Sequence, residues 1–460
     1  MVFNSIPFLL FFILFFAFWH WFKKHNQIKW IWIIFMSFVF YGWWDWRFLF
    51  LLIATGSIDY LCGYFIVKKP NFKKLALVFS VSTNIISLLI FKYSLFFAQI
   101  FDQLFNLFGV TVHLSSNIPQ WSLALPLGIS FYTFNSISYT IDLYKGKSKP
   151  AENILHFFAF ISFFPHLVAG PIIRAKDILG QLKNNRLVNP VEIYNGIKTI
   201  LWGFFQKMVL ADNLAVIVNS QFSGNAVNDA VNWWLCMLSF TGQIYFDFNG
   251  YSTIARGIAK LSGIHFRLNF YHPYFSTSFK EFWQRWHISL SSFFRDYVYI
   301  PLGGSKVGKY KAEFNRWVTM LLSGLWHGAN YTFILWGALH ALFLTAERYS
   351  FFKIKSKTLN QLLVFILVVF TWVFFRADNL NQAMMVVEHM LSFSSETTLK
   401  KVILSNAFFW LFAAMVIEWI KYNRFLKKIP MWMEIVIWGH IAVSIVIFRG
   451  PEQSFIYFQF

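Results

Sequence analysis

Leu362-Leu363-Val364-Phe365-Ile366-Leu367-Val368-Val369-Phe370-Thr371-Trp372-Val373-Phe374-Phe375 carries no charged side chain, and its reading decides the fold class. Similar apolar runs recur at residues 6–22, 48–67, 75–91 and 435–448. A helix crossing about 30 Å of hydrocarbon needs roughly 20 mostly apolar residues, and runs of this kind supply them. Hydrophobic residues make up 57% of the 460-residue chain and charged residues only 13%, against roughly 25% charged in a typical soluble domain. Too few charges remain to cover a water-soluble surface. Trp and Tyr cluster where the runs end, as in Trp19-His20-Trp21 and Tyr41-Gly42-Trp43-Trp44, which is where interfacial belts belong. The chain therefore reads as an all-α polytopic membrane protein.

The formal charge is +20. The basic residues lie between apolar runs rather than in one stripe, so they read as loops facing anionic lipid, and no nucleic-acid partner is expected. Basic clusters at Lys23-Lys24, 68–74, 145–149, 174–186, 256–316, 348–357 and 421–428 mark cytoplasmic ends. The connections 102–120, 219–229 and 379–395 are nearly free of Lys and Arg and fall outside. Threading these assignments places both termini outside, with about ten to twelve crossings. Residues 1–5 lack the basic start of a secretory signal, so the first run is expected to stay as a membrane helix. Cys62 and Cys236 lie in apolar runs and suggest neither a disulfide framework nor a metal site.

Two stretches break the spanning pattern. Residues 157–173 are apolar but flanked by basic clusters and interrupted by Pro165 and Gly170-Pro171, which suits a re-entrant segment. Residues 317–344 are interrupted at Gly324-Leu325-Trp326-His327-Gly328-Ala329-Asn330, which suits two short helices meeting at mid-depth or two full crossings. Broken backbone at membrane depth needs protein or a watered cavity to satisfy it, so such a break is a site candidate. Between them, residues 279–297 place Phe279, Phe282, Trp286, Leu290, Phe293 and Tyr297 on one helical face and Lys280, Gln284, His287, Ser291 and Arg295 on the other. That pattern predicts one amphipathic helix at the cytoplasmic interface. No internal repeat or soluble domain is visible, and the 460 residues read as a single membrane domain.

Ionisable groups inside a membrane are costly and default to function or to pairing. His327 stands at the Gly-rich break, where burial favours a neutral imidazole able to take a proton from a hydroxyl; an interfacial His capping a helix explains the same position. His287 reads as polar-face, and His20, His166, His340 and His440 as structural. Asp59, Asp142 and Asp247 lie in or beside apolar runs and each needs a cation or polar partner. The cluster Arg285, Arg295, Lys306, Lys309, Lys311 and Arg316, with the turn Pro301-Leu302-Gly303-Gly304, suits the phosphates of a nucleotide-containing donor, or solvated positive-inside charge. The C-terminal run Phe455-Ile456-Tyr457-Phe458-Gln459-Phe460 suits an interfacial anchor.

Several segments together resemble the membrane-bound O-acyltransferase family, in the bacterial branch that acetylates alginate and peptidoglycan and is related to the teichoic acid D-alanylation enzyme. They are Leu125-Pro126-Leu127-Gly128-Ile129-Ser130-Phe131, Phe164-Pro165-His166-Leu167-Val168-Ala169-Gly170-Pro171, Tyr245-Phe246-Asp247-Phe248-Asn249-Gly250-Tyr251-Ser252, Phe282-Trp283-Gln284-Arg285-Trp286-His287-Ile288-Ser289-Leu290 and Gly324-Leu325-Trp326-His327-Gly328, a motif core spanning about residues 125–329. Gln284 stands where the family usually has Arg. The resemblance implies a ring of helices around a tunnel, with His327 as the catalytic His and His287 as the second motif His. The basic cluster and its turn supply the candidate donor contacts Arg285, Arg295, Gly303 and Gly304, and the resemblance implies an acyl relay at Tyr457 in a fused tail, residues 454–460.

On this reading the protein takes an acyl group, expected to be acetyl, from a cytoplasmic acyl-CoA or acyl-carrier thioester and delivers it outward for O-acylation of an envelope polysaccharide. No cofactor is held permanently. The expected setting is the bacterial inner membrane, with lipids and a separate extracytoplasmic esterase-like (SGNH-type) transferase as partners. D-alanyl transfer to teichoic acid, a flippase of envelope lipid or glycan, and a synthase scaffold are the competing readings; paired interruptions in two repeat halves, expected of a transporter, are absent from the sequence.

Overall fold

The computed structural model describes residues 1–168, 170–224, 228–350, 354–392, 406–423 and 430–458, and every regular element among them is helical. Among the described residues, four helices are long and apolar enough to cross a membrane: Arg47–Lys68, Pro70–Leu107, Pro190–Phe222 and Lys357–Arg376; Ile6–Phe22 and Met431–Ile447 are shorter apolar helices. Their outward faces expose Leu9, Leu10, Phe50, Phe79, Leu362 and Val446. That is the composition of a lipid-facing surface, and helices satisfy their backbone polar groups internally, as lipid requires. Parts of the expected 348–357, 379–395 and 421–428 connections, with Ala169, residues 225–227, Gln459 and Phe460, lie outside the described residues. Within 379–395 the chain forms the helix Leu380–Leu391, its first turn capped by the Asn379 side chain.

The chain divides into two compact units, residues 1–196 with 255–267, and residues 197–254 with 268–460. In the first, the Asp59 carboxylate accepts from Ser80 Oγ at 2.6 Å and from Asn84 Nδ2 at 2.9 and 3.0 Å, so polar groups, not a cation, satisfy it. One carboxylate oxygen of Asp142, Oδ2, is buried with no hydrogen-bond partner among the described residues. Among the described residues of the 157–173 stretch, the helices are the end of Ile154–Ile161 and the short, buried Phe164–Leu167, neither long enough to span.

The second unit holds the break at residues 328–330. The helices Lys309–His327 and Tyr331–Arg348 pack along one another on either side of it, and Asn330 caps the second by accepting from Thr332 N. His327 is the last residue of the first helix. The amphipathic segment differs from the single helix its periodicity predicts. Helix Phe279–Arg285 stops at Trp286, His287 turns the chain with φ +41°, and a second helix Ile288–Phe294 runs into a π-helical turn over Arg295–Tyr299. Hydrophobic spacing cannot signal a left-handed residue, which a non-glycine side chain seldom adopts.

Candidate active site

The kink at His287 carries the ring out of the polar face and into the interior, where it is fully buried. Asn269 receives it. Asn269 Oδ1 accepts from Ser289 N at 3.2 Å and from Ser289 Oγ at 2.9 Å, which identifies that atom as the oxygen. His287 Nδ1 lies 3.2 Å from the same oxygen and must therefore donate to it. Nε2 is left as the lone-pair nitrogen, buried and with no hydrogen-bond partner among the described residues. Burial pushes the imidazole pKa down to about 3, so the ring is neutral at ordinary pH.

His327 is buried on the neighbouring helix. Its ring packs 5.0 Å from the rings of Trp336 and Phe375, centroid to centroid, and 4.9 Å from Trp326. The Tyr457 ring reaches the same space, at 5.6 Å from His327, 6.3 Å from His287 and 4.5 Å from Phe248. Its hydroxyl is enclosed and has no hydrogen-bond partner among the described residues. Burial, with the Asp247 carboxylate behind it, raises the phenol pKa, so deprotonation requires a base in contact. Three residues expected to act together, His287, His327 and Tyr457, thus form one aromatic-walled cluster in one unit.

Tyr457 does not sit as a free interfacial anchor; its segment is tied down. Lys207 lies in the π-helical stretch Phe205–Ala211, within Pro190–Phe222, and Asp212 directly follows that stretch, with Asp212 N bonded to Lys207 O. Five residues apart in an α-helix they would diverge by about 140°; the π turn brings them to one side. Lys207 Nζ lies 2.8 Å from both Asp212 Oδ1 and Asp247 Oδ1, in a fully buried cluster. Lys207 also donates to Gln453 O at 3.1 Å, and Asp247 Oδ2 accepts from Ile456 N at 2.7 Å. The expected partner of Asp247 is thus a cation, one the sequence reading passed over, although a Lys inside the apolar stretch 200–218 was a signal of the same kind.

The donor-binding candidates separate. A cavity of about 730 Å³ is lined by Lys280, Gln284, Arg295, Arg316 and Arg348, among others. Arg295 therefore faces it. Arg285 is engaged elsewhere, with Glu281 at 2.5 Å and His272 O at 3.3 Å, and Gly303 and Gly304 form a left-handed turn outside the lining. Arg316, Thr319, Met320 and Ser323 line the cavity from the helix that ends one turn later at His327. His340, read as structural, is buried against Thr371 Oγ1 at 3.2 Å and four aromatic rings.

Apolar helices around a buried pair of imidazoles and a phenol define a multi-pass membrane protein equipped for proton abstraction from a hydroxyl. Residues 152–387 match the model of the membrane-bound O-acyltransferase family, MBOAT. The chain belongs to that family and is an O-acyltransferase. It is 40% identical over 371 residues to the Pseudomonas aeruginosa protein named "Probable alginate O-acetylase AlgI", covering 79% of this chain and 70% of that one. The peptidoglycan O-acetyltransferase of Helicobacter pylori is 35% identical over 399 residues, 78% and 73% of the two chains. A teichoic acid D-alanyltransferase of Streptococcus thermophilus is 32% identical over 250 residues, 51% and 59%.

Proposed function

We propose that this O-acyltransferase moves an acetyl group from a cytoplasmic thioester to an envelope polysaccharide, with Tyr457 as the covalent way-station. The observation that carries this reading is the enclosed Tyr457 hydroxyl, without a hydrogen-bond partner among the described residues, beside His287, His327 and Phe248. His327 takes the phenolic proton as Oη attacks the thioester carbonyl; the C–S bond breaks and the leaving thiolate takes that proton from His327. An acceptor hydroxyl then gives its proton to the neutral His327 as its oxygen attacks the Tyr457 ester, and the departing phenolate takes that proton back. The thioester is already activated, so positioning and proton transfer are what the protein must supply. His287, fixed as the Nδ1–H tautomer, offers a neutral acceptor beside the phenol.

The cavity lined by Arg295, Arg316 and Arg348 suits the phosphates of an acyl-CoA or phosphopantetheinyl carrier, while Arg285, Gly303 and Gly304 are left as backbone and ion-pair supports. An extracytoplasmic SGNH-type transferase is the proposed recipient that completes delivery. Alginate-like polymers and peptidoglycan, the substrates in the relatives' names, are the acceptor classes proposed. Intact-protein mass spectrometry of the purified enzyme with acetyl-CoA should find one acetyl ester at Tyr457, absent from Tyr457→Phe. His327→Ala should fold normally and lose roughly 10²- to 10⁴-fold in transfer. Full transfer by Tyr457→Phe would rule out the relay and leave His327 acting directly on the acceptor.

A further inference from the structure

The three acceptors around Lys207 Nζ are two side chains and one main-chain carbonyl, and that asymmetry has a use. An ammonium carries three donors. Asp212 Oδ1 and Asp247 Oδ1 stand in ion-pair contact with it at 2.8 Å each, and the Gln453 carbonyl accepts a hydrogen bond from it at 3.1 Å. Asp247 is used twice: Oδ1 faces the ammonium and Oδ2 accepts the Ile456 main-chain N–H. Both contacts to the C-terminal segment are to its backbone, three residues apart, and the second lies next to Tyr457. The approach to this cluster is equally specific. Gly450 N donates to Met208 O at 2.8 Å, and a Cβ on Gly450 would stand 2.7 Å from Asn213 N and 2.8 Å from the Asp212 carbonyl carbon, so only glycine passes. Asn213 Nδ2 donates to Phe448 O at 2.9 Å, and Asn219 Nδ2 to Gln453 Oε1 at 3.2 Å. Between the charges and the site, Tyr251 lies 5.8 Å from Lys207 Nζ and its ring packs 4.4 Å from that of Phe455.

We propose that Lys207 and Asp247, with Asp212 holding the ammonium, form a peptide-backbone clamp that seats the C-terminal segment and so fixes Tyr457 beside His287 and His327. The clamp reads a main-chain carbonyl and an N–H three residues later, leaving side-chain identity to the aromatic walls. Lys207 and Asp247 are positioning residues; neither touches the phenol or the acyl group. The proposal rests on the relay reading only for its purpose, since the seating itself can be measured without any reaction.

Asp247→Asn is the discriminating change. Shape is kept and the cluster becomes neutral, yet an amide has one acceptor oxygen where the carboxylate has two. If that oxygen stays on the ammonium, an NH₂ meets the Ile456 N–H and the anchor becomes a repulsion. Asp212→Asn removes the same charge but keeps its oxygen on Lys207 and never meets the segment. Ile456→Cys provides the reporter, because Ile456 is buried and the two native cysteines are buried as well. Maleimide labelling of that cysteine should be slow in the otherwise native protein, and faster by about tenfold or more with Asp247→Asn, the scale of one buried hydrogen bond lost; with Asp212→Asn it should change by no more than about threefold. Labelling that stays slow in Asp247→Asn overturns the clamp, even if acylation is lost, because Asp247 would then act on the chemistry. Faster labelling with undiminished transfer from acetyl-CoA upholds the clamp and removes the relay. Should Asp247→Asn fail to give a monodisperse protein, Ile456→Pro deletes the same hydrogen bond from the segment's side without touching the bundle. It should abolish the acetyl ester expected on Tyr457 in the wild type, and an ester left unchanged from wild type would again overturn the clamp.

Discussion

At the scale of residues, the site depends on which nitrogen of His287 carries the proton, and Asn269 decides that. The pair was not legible in the sequence. His327 announced itself by the glycine-rich break around it, whereas Asn269 lies 18 residues before its partner in an irregular stretch without any pattern. His287 itself was read as polar-face because helical spacing counts residues and takes no account of a positive φ. Asn269→Leu removes the acceptor from a buried N–H, and transfer should fall roughly 10- to 100-fold, matching the 1–3 kcal/mol of a buried donor left unsatisfied. Asn269→Asp makes a sharper test. With Asn present, burial holds His287 near 3, so lowering the pH from 7 to 5 leaves it neutral and any acid limb there belongs to another group. A carboxylate at 269 favours the imidazolium and raises that pKa. The variant should then lose activity as pH falls towards the ordinary histidine value, and a pH–rate profile unchanged from wild type would remove His287 from the working site.

At the scale of elements, the helices that carry the clamp meet through glycine. A Cβ on Gly250 would lie 2.9 Å from Gly203 O and 3.1 Å from Lys207 N, main-chain atoms that cannot swing aside. Asp247 lies three residues before Gly250 on the same helix, so this close crossing brings the carboxylate to the ammonium. The helices were legible from apolar run length alone; the π turn at Phe205–Ala211 and the split at His287 were not, since both are departures from regular spacing, forced by packing and not by composition. Gly250→Val should separate the two helices. The expected loss is about 1–3 kcal/mol, the usual range for overpacking, read as a lower thermal midpoint in detergent. Because the Lys207–Asp247 contact should lengthen too, the Tyr457 ester should diminish in the surviving folded protein. A lowered midpoint with full ester formation would show that the crossing supports the fold and not the seat.

For the whole molecule, membrane character was legible because composition settles it, and the family because its motifs stand in order between about residues 125 and 329. The proposed direction of transfer rests on charge alone. Arg and Lys crowd residues 256–316 and are missing from 102–120, from which the positive-inside rule expects the basic cavity on the cytoplasmic side and both termini outside. The C-terminal segment would then enter the site from outside, while the donor's phosphates would meet Arg295, Arg316 and Arg348 from within. Only an acyl group would need to pass between them, which reconciles a bulky cytoplasmic thioester with an external acceptor. Cysteines at the exposed positions Glu452 and Lys309 test this directly in intact cells. An impermeant maleimide should label Glu452→Cys in whole cells and Lys309→Cys only after the membrane is opened. Labelling of Lys309→Cys from outside would reverse the donor side. A Glu452→Cys reached only from the cytoplasm would place Tyr457 on the donor's side of the membrane, and a relay to the exterior through that residue would be ruled out.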